Sequence, residues 1–165
     1  MELTQRLLHE LFVYHESGNL IWKHRTDVPD YVNKQFEGKV AGTLDKSTWY
    51  MRVCIQSKLY RLHRVIFLWH HGYLPKMVDH EDRNKLNNAI DNLRTTTSSQ
   101  NNSNRSRTVS STGHRNVYPA SDGKFQAKVK LNGVNYSKIC DTLEEAIEAA
   151  KLLREQYHGE FAFKE

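Results

Sequence analysis

The chain has 165 residues, with 24 Lys and Arg against 19 Asp and Glu, which gives a formal net charge of +5. This length suits one medium domain or two small ones, and the positive charge suits a polyanionic partner without requiring one. Cys54 and Cys140 stand far apart. Two such cysteines make a poor disulfide framework and cannot complete a four-ligand zinc site. We therefore expect a reducing compartment and no structural zinc.

No segment of the sequence has the features of a membrane span or a leader peptide. The apolar run at 65–69 is too short to cross a bilayer, and the N-terminus carries acids instead of a basic and then apolar run. We expect no membrane partner and a cytoplasmic, intracellular location.

The N-terminal elements follow from periodicity and turn residues. The pattern predicts a helix over 4–12, a hairpin of strands 12–14 and 20–22 around Gly18-Asn19, and a polar irregular segment over 25–38. Further strands are predicted at 50–55 and 58–62. A helix over 63–72 should follow and end at Gly72, with Pro75 close behind.

The next stretch brings chemically useful side chains together. We predict a strand over 77–79, a polar loop over 81–88, a return strand starting at Ala89-Ile90, a turn at 91–93, and a helix capped by Ser98. His80 and Asn92 would then lie on a hairpin, and Asn101 on a helix packed against it.

Four residues in this stretch have the chemistry of a metal-dependent nuclease: Asp79, His80, Asn92 and Asn101. A carboxylate and an amide oxygen can bind a hard divalent cation. A neutral imidazole can take a proton from water at pH 7, and a neighbouring amide can fix its tautomer.

Alternative roles remain open for these and nearby residues. Asn92 can cap a turn as well as orient an imidazole, and Asn102 or Asn104 can replace Asn101 as a ligand. Glu81 and Asp82 are best read as solvated loop residues. For His63, His70 and His71, helix-packing or solvent-exposed roles are favoured over ligand roles. Core roles are expected for Trp22, Trp69 and Phe125.

A basic linker follows. From Asn92 to Ser121 there is no acidic residue, and Ser and Thr dominate 103–113. The stretch is either a soluble tether or a phosphate-contacting segment. Its cationic residues are Arg94, Arg105, Arg107 and Arg115.

The C-terminal part predicts a small sheet with one helix. Strands are expected at 114–118, 124–130 and 134–139, with turns at 121–123 and Asn132-Gly133, and a helix over 142–157. Thr142 and Glu145 form a capping box. Gln126, Lys128 and Lys130 alternate with apolar residues, so one face of the sheet should be polar and cationic.

The set Asp79-His80, Asn92 and Asn101, with the frames at 62–69 and 91–94, resembles the HNH nucleases with a ββα-metal fold. Over about 12–104 the resemblance is to phage-type HNH homing endonucleases whose last His is replaced by Asn. It implies that Asp79 and Asn101 hold one Mg²⁺ or Mn²⁺ ion, that His80 is the general base, and that Asn92 fixes its imidazole.

Residues 113–163 resemble the ethylene-response-factor (Apetala-like) DNA-binding domain, through the motifs at 123–129, 141–146 and 158–162. The resemblance implies that the exposed sheet face contacts DNA near Arg115, Lys128, Lys130 and Tyr136. This chain has mainly Lys, Gln and Tyr where that family has Arg and Trp. Lys suits phosphate more than bidentate base contacts, which favours positioning over tight sequence specificity.

Together these observations predict an α+β protein. A ββα-metal HNH module over 1–102 (core about 76–104) is followed by a linker over 103–112 and a three-stranded antiparallel sheet plus helix over 113–165. The expected activity is that of a monomeric, site-preferring, homing-type endonuclease that nicks double-stranded DNA, with no small-molecule cofactor. The rival hypotheses are a non-catalytic DNA-binding regulator on an HNH scaffold and, less favoured, an RNA-binding module.

Overall fold

The computed structural model describes residues 3–104 and 110–162. The chain divides into two compact units, Met1–Thr95 and Thr96–Glu165. Arg105 and Arg107 lie outside the described residues. The division falls a few residues before the predicted one, and the predicted domain limits stay a prediction.

The N-terminal unit is built of short helices and small antiparallel sheets. Strands β1 and β2 form a hairpin, β3, β4 and β5 a three-stranded sheet in that order, and β6 and β7 a second hairpin. The elements are α1 (Gln5–Leu11), β1 (Phe12–His15), β2 (Asn19–Trp22), α2 (Asp30–Phe36), β3 (Thr43–Asp45), β4 (Tyr50–Ile55), β5 (Lys58–Arg61), α3 (Leu62–His71), β6 (Val78–His80), a 3-10 turn (Ile90–Asn92) and β7 (Leu93–Thr95).

Local sequence signals set several of these boundaries. The Thr4 hydroxyl accepts from the backbone N–H of Leu7 and caps α1. Helix α3 ends at Gly72, whose φ of 73° lies in the left-handed region that glycine adopts without strain. Both helices were predicted from these residues.

Helices α1 and α3 and the first hairpin share one apolar core. The fully buried side chains include Leu8, Phe12, Leu20, Leu62 and Ile66. Trp22 and Trp69 pack against this core, as expected. Burying side chains of this size contributes about 1.5–3 kcal/mol each and fixes where β4 and β6 lie.

The C-terminal unit is one helix packed on a three-stranded antiparallel sheet in the order β10-β9-β8. Its elements are α4 (Ser98–Asn104), β8 (Val117–Pro119), a 3-10 turn (Ser121–Gly123), β9 (Phe125–Leu131), β10 (Val134–Cys140), α5 (Leu143–His158) and a final 3-10 turn (Gly159–Phe161). The alanines of α5 (Ala146, Ala149 and Ala150) form a core with Val117 and Ala127. Thr142 caps α5 as predicted, because its hydroxyl accepts from Glu145 N.

Helix α4 packs within the C-terminal unit. Asn132 N donates to Ser99 Oγ at 2.9 Å, and Arg115 Nη2 donates to the Ser103 carbonyl at 2.9 Å. The cap of α4 is Thr97 and not Ser98, because Thr97 Oγ1 accepts from Gln100 N while Gln100 Oε1 accepts from Thr97 N.

The structure differs from the predicted elements in several places. The segment 25–38 contains α2, where Asn33 is buried and its side-chain amide bonds the backbone N–H and C=O of Arg25. Such a tertiary contact leaves no periodic signal. Strand β3 was not predicted, and the return strand begins at Leu93, since the 3-10 turn Ile90–Asn92 comes first. No described helix combines the length and apolar character needed to cross a membrane.

Candidate functional site

The β6–β7 hairpin of the N-terminal unit carries most of the candidate residues. Asp79 pairs with Arg94 in its register, and His80 pairs with Leu93. Residues 81–92 form the long connection between the strands, and Glu81 N bonds the Asn92 carbonyl at 2.9 Å where that connection closes. The hairpin therefore holds an acid and an imidazole at the mouth of a fixed loop.

The His80 imidazole is held by an amide. Only 4% of the residue is exposed, and its Nε2 lies 3.0 Å from Asn88 Oδ1. An amide oxygen only accepts, so Nε2 carries the proton and Nδ1 carries the lone pair. In this tautomer Nδ1 is the basic atom.

The amide that bonds His80 is not the predicted one. Asn92 Nδ2 donates to Asp82 Oδ1 at 2.9 Å and to the Asn87 carbonyl at 2.8 Å, and Asn92 Oδ1 accepts from Asp82 N at 3.0 Å. Asn92 thus fastens the loop that carries Asn88, and acts on the imidazole through it. Asn88 was predicted only as the last residue of a polar loop, with no role in the site.

Asp82 is an internal hydrogen-bond acceptor of this loop. Burial alone would raise the pKa of its carboxyl, but hydrogen bonds from Asn87 and Asn92 outweigh that effect, and the pKa is lowered. The Asn87 bond measures 2.7 Å. Asp82 is thus an exposed loop residue, as expected, and its carboxylate also holds the loop together.

Asp79 is flanked by a cation. Its side chain is 12% exposed, and Arg94 Nη2 lies 3.6 Å from its Oδ2, while Arg94 Nη1 lies 3.9 Å from Glu81 Oε1. The Arg94 side chain is 15% exposed. Arg94 was predicted to bind DNA, and here its guanidinium faces two carboxylates, so its charge is largely committed inside the unit.

Carboxylate oxygens such as those of Asp79 suit a hard divalent cation. Among the described residues there is no cluster of three or more His, Cys, Asp or Glu that could hold a metal ion. A single carboxylate with an amide oxygen, waters and substrate phosphate remains a chemically suitable donor set. The donors present fit Mg²⁺ or Mn²⁺ better than zinc.

Two aromatic side chains lie close to the His80 ring. The His63 ring centroid lies 4.9 Å from that of His80, and the Tyr50 centroid lies 6.0 Å from it. Burial, and then the charges of His80, Arg61 and Arg64, lower the pKa of His63 to about 3. His63 is therefore neutral at pH 7 and packs in the helix, as expected.

The first hairpin packs against the 81–92 connection. The Tyr14 hydroxyl accepts from Ile90 N at 3.0 Å. A Cβ added to Gly18 would lie 2.3 Å from Ala89 N and 2.4 Å from the Asn88 carbonyl carbon. The turn of β1–β2 thus touches the segment that presents Asn88. Tyr14 and Gly18 were predicted only as hairpin residues. Their contact with residues 88–90 was not predicted, because it joins segments far apart in the sequence.

Asn101 belongs to α4 in the C-terminal unit. Its side chain is half-buried, Asn102 is exposed and Asn104 is buried. This exposure is compatible with the prediction that Asn101 is the ligand of the three. Its pairing with Asp79 stays a prediction.

The C-terminal sheet separates the predicted DNA-contacting residues by face. Lys128 and Lys130 line an open cavity of about 490 Å³ with Tyr118, Gln126 and Asn135. Tyr136 pairs with buried Val129 and stacks on Tyr157 of α5, with ring centroids 3.8 Å apart. Its ring lies on the helix side, which corrects its predicted placing beside the lysines. Arg115 holds α4, as described above.

Part of the chain is similar to known nucleases. Residues 60–103 match the sequence model of the HNH endonuclease family, and this range includes Asp79, His80, Asn92 and Asn101. The uncharacterized HNH endonuclease L560 of Acanthamoeba polyphaga mimivirus is 39% identical over 106 residues, covering 62% of this chain and 55% of that protein. The chain thus spans about half the length of this relative.

A solved structure of DNA binding and cleavage by the HNH homing endonuclease I-HmuI is 22% identical to this chain. The match covers 83% of this chain and 75% of that chain, with a TM-score of 0.42. The family match and the mimivirus relative show similarity to HNH endonucleases over part of the chain.

Proposed function

We propose that this protein is a metal-dependent DNA endonuclease of the HNH type that hydrolyses phosphodiester bonds. The observation that carries the proposal is the His80 imidazole, fixed by Asn88 in the tautomer with a basic Nδ1, on the residue that follows Asp79 in β6. A nuclease needs this pair: a base for water and an oxygen ligand for a cation.

His80 is the general base of the proposed reaction. Nδ1 takes a proton from the water that attacks phosphorus, and the Nε2–H bond to Asn88 stabilises the imidazolium that forms. Asn92 keeps the loop in register through Asp82 and Asn87. Loss of either amide should misplace the base without removing it.

Asp79 and Asn101 are the proposed metal ligands, on the strength of their spacing in the matched segment. A bound Mg²⁺ or Mn²⁺ ion would offset the negative charge that develops on the phosphate and the leaving oxygen. In this structure the Asp79 carboxylate faces the positive charge of Arg94, whose Nη2 lies 3.6 Å from Asp79 Oδ2.

The C-terminal unit is the proposed DNA-positioning module. Lys128 and Lys130 lie on one face of β9, where they can contact phosphates, and Arg105 and Arg107 extend the basic stretch. We propose a homing-type activity with site preference that nicks DNA as a monomer, since one base and one ion serve one strand.

Incubation with supercoiled plasmid tests the proposal. The wild type should relax the plasmid with Mg²⁺ or Mn²⁺, and EDTA should stop the reaction. His80→Ala should lower turnover by roughly two to four orders of magnitude, as loss of a general base does, with DNA affinity nearly unchanged. Plasmid that stays supercoiled under every metal condition, with DNA still bound, would favour the non-catalytic regulator.

The ligands are tested by Mn²⁺ binding as well as by cleavage. Asp79→Ala and Asn101→Ala should weaken Mn²⁺ binding measured by calorimetry and raise the metal concentration needed for nicking. Asn102→Ala, exposed on the same helix, is the matched control. If Asn102→Ala or Asn104→Ala is the variant that loses the metal, the ligand on α4 has been assigned wrongly.

A further inference from the structure

The turn between β3 and β4 displays a tryptophan to solvent. Trp49 is 60% exposed, and its φ is 58°. A bulky residue rarely adopts this left-handed conformation, because its Cβ crowds the backbone. A large apolar side chain that is exposed in a strained backbone conformation indicates that it contacts a binding partner.

Asp45 fixes the backbone that presents Trp49. The Asp45 carboxylate accepts from Ser47 Oγ at 2.7 Å and from Thr48 Oγ1 at 2.6 Å, and its carbonyl accepts from Trp49 N at 2.7 Å. Hydrogen bonds from Thr48 and Ser47 lower the pKa of Asp45 to about 2. The hydrogen bonds of Asp45 therefore fix the backbone of the turn in the conformation that exposes Trp49.

Contacts through Lys85 and Tyr50 connect this turn to the candidate catalytic base. Lys85 Nζ donates to the Thr48 carbonyl at 2.9 Å and lies 4.6 Å from the Tyr50 ring centroid. Tyr50 in turn packs against His80. A short chain of contacts within the N-terminal unit thus joins the Trp49 turn to the hairpin that carries His80.

The surface between this turn and residues 82–86 is concave and partly basic. Trp49 and residues 82–86 line an open cavity of about 410 Å³ that includes Arg83 and Lys85. Lys46 belongs to the same turn. Asp82 also lines the cavity, but its carboxylate accepts hydrogen bonds from Asn87 and Asn92.

We propose that Trp49 stacks on a nucleobase of DNA next to the phosphate that is cut, while Arg83 and Lys85 contact neighbouring phosphates. The identity of the ligand rests on the proposed function, and the surface itself rests on the geometry above. Indole rings stack on any base, and cations beside them hold the backbone, which is how proteins combine affinity with tolerance of sequence.

Two substitutions separate the ring from the turn. Trp49→Gly removes the ring, and glycine adopts a φ of 58° without strain, so melting temperature should stay or rise. Trp49→Phe keeps an aromatic face. Tyr31→Ala is the matched control, because Tyr31 is 70% exposed on α2 and does not line this cavity.

DNA affinity of the full-length protein in EDTA gives the first readout. Trp49→Gly should weaken binding by about 5- to 150-fold, the range for loss of one stacked base. Trp49→Phe should keep most of the affinity, and Tyr31→Ala all of it. The salt dependence should stay as steep in Trp49→Gly and become shallower by about one unit in Arg83→Ala or Lys85→Ala.

A fluorescent base in the substrate gives the second readout. 2-Aminopurine placed at successive positions around the mapped cut should be quenched at one position by the wild type and not by Trp49→Gly. If Trp49→Gly binds like the wild type, or no position shows this difference, the inference is overturned. Self-association lost in Trp49→Gly with DNA affinity intact would also overturn it, in favour of a second copy of this chain. A wild type that binds no DNA at all would instead overturn the proposed function.

Discussion

At the scale of single residues, hydrogen-bond direction decides the chemistry. His80 and Asn88 are eight positions apart in a polar loop with several amides, and only one of those amides is seen to bond the imidazole. Nε2–H donates to Asn88 Oδ1, so Nδ1 carries the lone pair. That His80 is the base stays a prediction from the sequence, and this hydrogen bond indicates which of its nitrogens would act.

We predict that Asn88→Ala lowers turnover by about 10- to 100-fold, because the imidazole loses the acceptor that fixes its tautomer. Asn88→Asp keeps an acceptor at Nε2–H and should retain much more activity, with its pH–rate profile shifted to higher pH by the added negative charge. Single-turnover cleavage across pH measures both effects. Equal losses in the two variants would mean that Asn88 shapes the loop instead of orienting the base.

His63 gives a residue-scale prediction about acid stability. Its pKa of about 3 in the folded protein lies below the ordinary value of 6.5, so between these values the unfolded chain binds a proton that the folded chain does not. Stability should therefore fall as pH falls from about 6.5 toward 3, by up to about 1.4 kcal/mol per pH unit from this group.

We expect His63→Phe to make that fall shallower. Among the described residues, His63 Nδ1 has no hydrogen-bond partner. A phenyl ring of similar shape therefore breaks no hydrogen bond of this nitrogen. Urea unfolding at several pH values between 4.5 and 7 tests this. Curves that run parallel for the two proteins would show that His63 is not the group that titrates.

At the scale of elements, the two hairpins of the N-terminal unit act together. The turn of β1–β2 touches Asn88 and Ala89, and Tyr14 of β1 accepts a hydrogen bond from Ile90 N. Each hairpin is predictable from its own residues. Their contact is not, since it depends on how both pack on the shared core.

We predict that Gly18→Ala destabilises the protein by about 1–3 kcal/mol and lowers cleavage as well. Its φ of 78° disfavours alanine, and the new Cβ would press on the backbone beside Asn88. Gly38→Ala is the control, because its φ is 71° but no atom lies within 4 Å of the added Cβ. Thermal unfolding and plasmid nicking of both variants separate backbone strain from the clash. Equal effects on cleavage would rule out the contact as the cause.

At the scale of the whole molecule, the division of the chain matters for α4. This helix was predicted to pack against the β6–β7 hairpin, and the structure shows it hydrogen-bonded to Asn132 and Arg115 of the C-terminal unit. Ser103 and Asn104 are buried. A polar helix with no apolar stripe gives no sequence signal about which neighbour it joins.

We therefore expect a fragment of residues 96–165 to be more stable than one of residues 110–165. Each of the two hydrogen bonds to α4 contributes about 0.5–1.5 kcal/mol, and Ser99→Ala in the longer fragment should lose part of the gain. Circular dichroism melts of the three proteins measure this. Identical melting temperatures would show that α4 adds nothing to this unit.

The sequence by itself determined the elements whose signals are local. The capped helices α1 and α5, the Gly72 stop of α3, and the hairpins at Gly18 and Asn132-Gly133 follow from periodicity and turn chemistry, which act between near neighbours. The set Asp79, His80, Asn92 and Asn101 was likewise visible as spacing, and it falls inside the matched HNH segment.

The tertiary structure alone decided which groups meet. Three side-chain contacts depend on register and packing between segments that are not adjacent in sequence: Asn88 with the His80 imidazole, Asn92 with Asp82, and Arg94 with Asp79. The same holds for the face of the sheet on which Tyr136 lies and for the exposure of Trp49. Polar loops and polar helices carry many equivalent donors and acceptors. Because these groups are chemically alike, only the burial of the apolar core around them selects the pairs that form.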